Sequence, residues 1–141
     1  MSPDPTTFVH RLRVRFIECD MQGIVFSSHY YTWMDIGHTE LIREVLGPIE
    51  ALHGHGVDVV VAESSCRYLD SARYDQEIDI EVRLAGLTNT SMTTAYTFRH
   101  GETVLAEGWV RHVCVDRTQW AKTPWPDDIR AVFTPLLAES G

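Results

Sequence analysis

Hydrophobic and polar residues alternate over residues 8–17. Phe8, His10, Leu12, Val14 and Phe16 fall on one side, and Val9, Arg11, Arg13, Arg15 and Ile17 on the other. A period of two marks a strand with one buried face. The three arginines on its outer face read as an edge strand guarded by charge, or as a row that meets phosphates or a partner's acids. Residues 18–28 show no period and contain Gly23, as a loop feeding a helix would. From residue 29 to 46 the spacing becomes helical, with Tyr30, Trp33, Met34, Gly37, Leu41 and Val45 on one stripe. Ser27 or Ser28 is placed to cap its start, and Gly47-Pro48 to stop it.

The pattern then returns to strands. Residues 57–69 are rich in β-branched valines, and residues 70–73 turn the chain. Over residues 76–84, Ile78, Ile80, Val82 and Leu84 point one way and Glu77, Asp79, Glu81 and Arg83 the other. Thr88-Asn89 marks a hairpin. Residues 90–99 follow, with Met92, Thr94, Tyr96 and Phe98 on one face, then a turn at His100-Gly101 and a last long strand over residues 103–115. Pro126 with Asp127 and Asp128 opens a short C-terminal helix and tail over about residues 126–139, limited by Pro135, and residues 1–7 read as a loose arm. Short connections between successive strands imply antiparallel neighbours. The helix stripe and the apolar sheet face satisfy each other only by packing together. The prediction is one α+β domain over residues 1–141, an antiparallel five-stranded sheet wrapped around one long central helix, which matches the hotdog fold.

Composition narrows the function. The chain has 141 residues, 44% apolar and 23% charged, enough for a single core without staples. A net charge of −8 disfavours nucleic acid and anionic membrane surfaces as partners. No apolar run approaches the ~20 residues of a membrane span, and the N-terminus lacks the pattern of a secretory signal. Cys19, Cys66 and Cys114 are sparse, odd in number and without a CxxC, as expected of reduced thiols in a cytoplasmic protein. His53-Gly-His55 invites a metal reading, but no third ligand lies nearby, and turn chemistry is the expectation.

The chemistry concentrates between Glu18 and Asp35. Asp20 stands on a loop, Gly23 follows, and a helix begins. A helix N-terminus offers unpaired N–H groups and partial positive charge. Aimed at a carbonyl, such donors stabilise an oxyanion by ~3 kcal/mol each. A carboxylate beside them attacks the carbonyl or activates water. By itself, an acid before a helix is ordinary loop chemistry.

The spacing Asp20-x-x-Gly23-Ile24-Val25-x-x-x-x-Tyr30-x-x-Trp33-Met34-Asp35 resembles the signature of the 4-hydroxybenzoyl-CoA thioesterase family of hotdog proteins, which includes the Tol–Pal-associated type. The turn Tyr68-Leu-Asp-Ser-Ala-Arg73-Tyr74-Asp75 and the strand order from Phe8 to Asp116 resemble that family too. The resemblance implies that Asp20 is the catalytic nucleophile or general base. It implies that the backbone amide at Ser27 polarises the thioester, with Gly23 in the same loop. It implies that Tyr30 packs the start of the helix and that Asp35 meets a ring hydroxyl of the acyl group. His29 stands where the family usually has Asn, so it is either a polar helix terminus or a substrate contact. No histidine follows Gly23-x-Val25 as it does in some members, and the Asp–His spacing of hotdog hydratases is absent. Glu63 and Ser65 lie on a strand whose matching face approaches the partner's site in hotdog dimers; outward polar positions are the plainer reading. The residues Leu87-Thr-Asn-Thr90 lack the basic cluster that holds nucleotide phosphates in the hydroxybenzoyl branch. Arg67, Arg73, Arg111, Arg117, Lys122 or the Arg11/Arg13/Arg15 row are the substitutes.

The expectation is a cytoplasmic acyl-CoA thioesterase, homodimeric or homotetrameric, needing no metal or organic cofactor. Its first acyl candidates are aromatic or hydroxyaromatic groups, then short or medium chains. A carrier-protein thioesterase and a non-catalytic acyl-CoA-binding or interaction module are the alternatives.

Overall fold

The computed structural model describes residues 7–137. The arm expected at the N-terminus, apart from Thr7, and the end of the tail lie outside the described residues. Five strands, β1 (Phe8–Arg13), β2 (Val57–Tyr68), β3 (Glu77–Leu87), β4 (Ser91–His100) and β5 (Thr103–Asp116), form one antiparallel sheet in the order β1-β3-β4-β5-β2. The helix α1 (His29–Val45) lies in its concave face. Two shorter helices, α2 (Glu50–His53) and α3 (Asp127–Phe133), close one end.

The alternation read from the chain explains this packing. Ile78, Ile80 and Val82 from β3 and Tyr96 and Phe98 from β4 bury completely or nearly so against Tyr30, Trp33, Met34 and Leu41 of α1. A Cβ on Gly37 would lie 3.0 Å from Val82 and 3.1 Å from Ile80, so its hydrogen lets helix and sheet touch. A second apolar cluster joins Ile42 to Leu84, Met92 and Cys114, and α3 covers it with Ile129 and Phe133. Gly47, at φ 118°, ends α1 in a left-handed turn; its amide and that of Leu46 both bond the Ile42 carbonyl.

Several sequence expectations shift. β1 ends at Arg13, and Phe16 is 79% exposed instead of facing the core. The cause is a single 3-10 turn over Phe16–Glu18, in which the Glu18 and Cys19 amides bond back to Arg15 and Phe16. Residues 50–53 coil into α2, although the sequence pattern reads residues 52–56 as loop. Ser28 occupies the N-cap of α1 with helical angles and no side-chain cap bond. A preceding turn replaces the serine cap: His29, Tyr30 and Tyr31 donate to the carbonyls of Phe26, Ser27 and Ser28. The arginine row pairs with acids: Arg11 with Asp79 at 2.7 Å, Arg13 with Glu77 at 2.6 Å, and Arg15 with Glu18 at 3.1 Å.

Candidate active site

Asp20 sits on a tight turn that its own backbone closes. Its amide bonds the Ile24 carbonyl at 2.8 Å, and the Gly23 amide bonds its carbonyl at 3.0 Å. Gly23 has φ 81°, a left-handed angle that a side chain would strain. The turn is flanked by bridges from Cys19 to Val25 and from Ile24 to Arg73. One carboxylate oxygen of Asp20 accepts the Gln22 amide at 2.8 Å, which aims the half-buried side chain and leaves its second oxygen free of protein partners among the described residues.

Opposite this carboxylate, the chain enters α1. The Ser27 and Ser28 amides have no acceptor among the described residues, while the next three amides are spent on the entry turn. The free donors therefore stand one step before the helix, held by the turn instead of by a serine side chain. Tyr68, from the end of β2, donates its hydroxyl to the Ser27 carbonyl at 3.0 Å and locks that peptide. Burial, followed by the nearby Cys66, pushes the Tyr68 phenol up to about 12, so it stays a donor at neutral pH. Asp20, Ser27, Tyr30 and Tyr68 line one cleft of about 280 Å³, with Asp70 and Ser71 on its far wall. The cleft is large enough for a thioester and its neighbouring atoms.

Glu18 and Tyr68 stand in segments that the sequence singles out, but the sequence assigns neither of them a role. Glu18 is only 2% exposed, yet it is an acid. Its carboxylate accepts the Arg15 amide at 2.7 Å, the Arg15 guanidinium at 3.1 Å and the Trp33 indole at 2.7 Å. Burial by itself would raise its pKa; these hydrogen bonds and the Arg15 charge outweigh burial and hold it below the ordinary carboxylate value. Its carbonyl also accepts the Phe26 amide. Glu18 thus clamps both ends of the Asp20 loop onto α1. The signal available in the sequence was an acid between apolar residues 15 positions before a tryptophan, which has no fixed meaning without the fold. Trp33→Phe leaves one buried carboxylate lone pair without its donor. The expected cost is about 1–3 kcal/mol of stability, read as a lower denaturant midpoint, and a rise in mobility of the Asp20 loop in hydrogen exchange.

The remaining sequence candidates separate. Tyr30 is 2% exposed and packs edge-on against Tyr68 and Phe98, a core role at the cleft wall. His29 is half-buried against Phe26. Asp35 is exposed and lines a different space, farther along α1, with Met34 and Ser64. Glu63 and Ser65 face outward: the register of β2 on β5 shifts between Val61 and Glu63, so Ser64, opposite Val110, takes the inner position that simple alternation gives to Ser65. Ser65 pairs instead with Trp109 on the outer face, and Glu63 approaches Arg111 at 3.9 Å. His53 bonds Asp58 at 3.0 Å and His55 bonds the Ala51 carbonyl at 2.9 Å, as turn chemistry requires. Arg130 of α3 reaches the hairpin at residues 88–89 and bonds the Thr88 carbonyl and the Asn89 side chain, so tertiary structure brings a cation to a hairpin that has none of its own.

The chain matches the family model described as the thioesterase-like superfamily over residues 14–133. It belongs to that superfamily. It is 28% identical over 129 residues to the acyl-CoA thioester hydrolase YbgC of Escherichia coli, covering 91% of this chain and 96% of YbgC. The solved structure of a protein from Thermus thermophilus, TT1821, superposes with a TM-score of 0.86 at 26% identity, over 91% of this chain and 98% of that one. The gentisyl-coenzyme A thioesterase BH1999 superposes with a TM-score of 0.82 at 25% identity, over 90% of this chain and all of its own. The sheet curled around α1 is the hotdog fold of this superfamily. Among the described residues, no helix is long and apolar enough to cross a membrane.

Proposed function

We propose that this chain is a thioester hydrolase that cleaves an acyl-CoA to the free acid and CoA, with Asp20 as nucleophile or general base. The observation that supports it most is one cleft holding a loop carboxylate and Ser27, whose amide has no acceptor among the described residues. The thioester oxygen sits on that amide, which stabilises the charge that develops as the carbonyl is attacked. Asp20 attacks the carbonyl carbon directly, or removes a proton from a water that does so. The C–S bond then breaks, and the thiolate leaves readily because a thiol has a pKa near ~8.5. The acid is released after water has supplied the oxygen. No metal or organic cofactor enters this scheme.

The acyl group is first an aromatic or hydroxyaromatic one, with Met34 and Asp35 along its course, and otherwise a short or medium chain. Arg73 is a candidate cation for CoA phosphates. It pairs through its backbone with Ile24 of the Asp20 turn. β2 is an edge strand with Val60 and Val61 exposed, which suits a homodimer or homotetramer. A carrier-protein thioester is the second reading, favoured by the hairpin over residues 87–90, where Arg130 is already spent on backbone and amide bonds.

Thiol release from benzoyl-, hydroxybenzoyl-, phenylacetyl-, acetyl-, hexanoyl- and palmitoyl-CoA tests the reading. Turnover on one acyl class is the expected result. Silence on the whole panel, with turnover of an acylated carrier protein, transfers the activity to the second reading. Binding of acyl-CoA without turnover overturns both in favour of a non-catalytic module.

A further inference from the structure

The chain enters α1 without a side-chain cap. Ser28 stands at the N-cap and makes no cap bond, and the Ser27 and Ser28 amides have no acceptor among the described residues. A helix entry is ordinarily fixed by the side chain that caps it. Here the carbonyls of the entry turn take that part. Those of Phe26, Ser27 and Ser28 accept the amides of His29, Tyr30 and Tyr31 at 3.0, 3.2 and 3.2 Å. Bonds between such near neighbours shape the turn, but they do not tie it to the rest of the molecule. Among the described residues, two hydrogen bonds from outside the segment do so at residues 26–28. The Phe26 amide donates to the Glu18 carbonyl at 3.0 Å. The Tyr68 hydroxyl donates to the Ser27 carbonyl at 3.0 Å, from 41 positions along the chain.

Tyr68 is itself held to the sheet. It pairs with Ala106 of β5. The two amides that follow it, those of Leu69 and Asp70, both bond the Leu105 carbonyl, at 2.9 and 3.0 Å. Its ring meets that of Tyr30 edge-on, with centres 5.2 Å apart, and Tyr30 belongs to the core. Backbone and ring together bring one hydroxyl to one peptide of the entry turn, on the wall of the cleft that Asp20 and Ser27 share. Resting on the acyl-CoA reading above, we propose that Tyr68 is a positioning residue for the reaction, whose hydroxyl holds the Ser27 main chain where the thioester oxygen takes up charge. The hydroxyl donates to the protein and not to the substrate, so it acts through Ser27. An oxyanion donor is effective because it is already in place when the charge develops. A water in place of the phenol satisfies the Ser27 carbonyl but does not tie it to the sheet.

Tyr68→Phe tests this, because it keeps the ring and its contact with Tyr30 and removes the hydroxyl alone. The ring is 44% exposed and the Ser27 carbonyl keeps the Tyr30 amide, so the variant is expected to melt with the wild type. Its kcat on the preferred acyl-CoA is expected to fall roughly fivefold to tenfold, the value of one neutral hydrogen bond, with KM unchanged. A general loss of structure would move both. Two CoA analogues of the preferred acyl group, or of benzoyl where none is cleaved, read the effect without turnover. One is a trifluoromethyl ketone, whose hydrate resembles the tetrahedral intermediate; the other is a thioether with no carbonyl oxygen. Tyr68→Phe is expected to weaken the ketone by a factor like that in kcat and to leave the thioether as it was. In hydrogen exchange, the His29, Tyr30 and Tyr31 amides that close the entry turn should exchange faster in the variant, with Ile80 and Phe98 of the core unchanged. An unchanged kcat, an equal loss for both analogues, or an unchanged exchange at the entry turn overturns the inference. A wild type that cleaves no acyl-CoA and binds the ketone no better than the thioether fails the catalytic reading, and exchange at the entry turn then decides by itself whether Tyr68 holds Ser27.

Discussion

Asp20→Asn lowers thiol release from the preferred acyl-CoA by about a hundredfold or more, with the fold unchanged. A positioned acid–base group is typically worth 10²–10⁴ in rate, and a nucleophile no less. Asn retains the acceptor oxygen that holds the Gln22 amide, so the turn survives while the free charge is lost. The loss is expected in kcat more than in KM, because the carboxylate acts on the reacting carbon and does not hold the rest of the substrate. Single-turnover rates with wild-type melting behaviour check this. A variant that keeps its rate would mean that another group attacks the thioester.

Acid unfolding is the second large effect, and it belongs to His38 of α1 and His112 of β5, two buried rings stacked with centres 3.8 Å apart. Burial, helped by the neighbouring His112 ring, pushes His38 down to about 3, and burial pushes His112 down to about 4. In the unfolded chain both titrate near 6.5. Between those values the unfolded state binds protons that the folded state refuses. The stabilisation from keeping the rings neutral is therefore complete above about pH 6.5 and declines as pH falls toward 4. The slope is about 1.4 kcal/mol per pH unit for each ring. Asp35 and Asp58 line a cavity with both rings, and desolvation dominates the titration of each ring. Glu18 acts in a lower window. Its folded pKa lies below its unfolded value near 4.5, so its contribution is full above that value and is lost as pH falls through the folded one. Urea midpoints in the wild type should stay level from pH 7.5 to about 6.5 and then fall toward pH 4.5. His38→Leu combined with His112→Phe should flatten that fall. An equally steep fall in the double variant would assign it to other groups.

The Asp20 cleft and the sheet make different demands on the same helix. The entry to α1 is polar, and the Ser27 and Ser28 amides before it have no acceptor among the described residues. Its middle is apolar and touches the sheet through Gly37. The stripe formed by Tyr31, Asp35, His38 and Ile42 faces the edge strand and leaves room. β2 is able to stand away from α1 there because it is the last strand of the sheet, and the register shift after Val61 turns Ser64 inward.

The sequence by itself determined the strands, the long helix and the order in which they occur, because periods of 2 and 3.6 are local properties of a chain. It also determined Gly23 as a turn and Asp20 as the acid beside a helix entry, because their spacing survives any packing. Only the tertiary structure decided which amides remain free. That depends on a turn from Phe26 to Tyr31 that competes with the serine cap, and on Glu18 reaching Trp33 across the loop. Only the tertiary structure turned Ser64 inward, since one bulge reverses every later position on a strand. It alone brought His38 and His112 face to face. They are 74 residues apart in the chain, and neither pattern nor spacing links them. Their meeting follows from the sheet curling until β5 lies under the middle of α1.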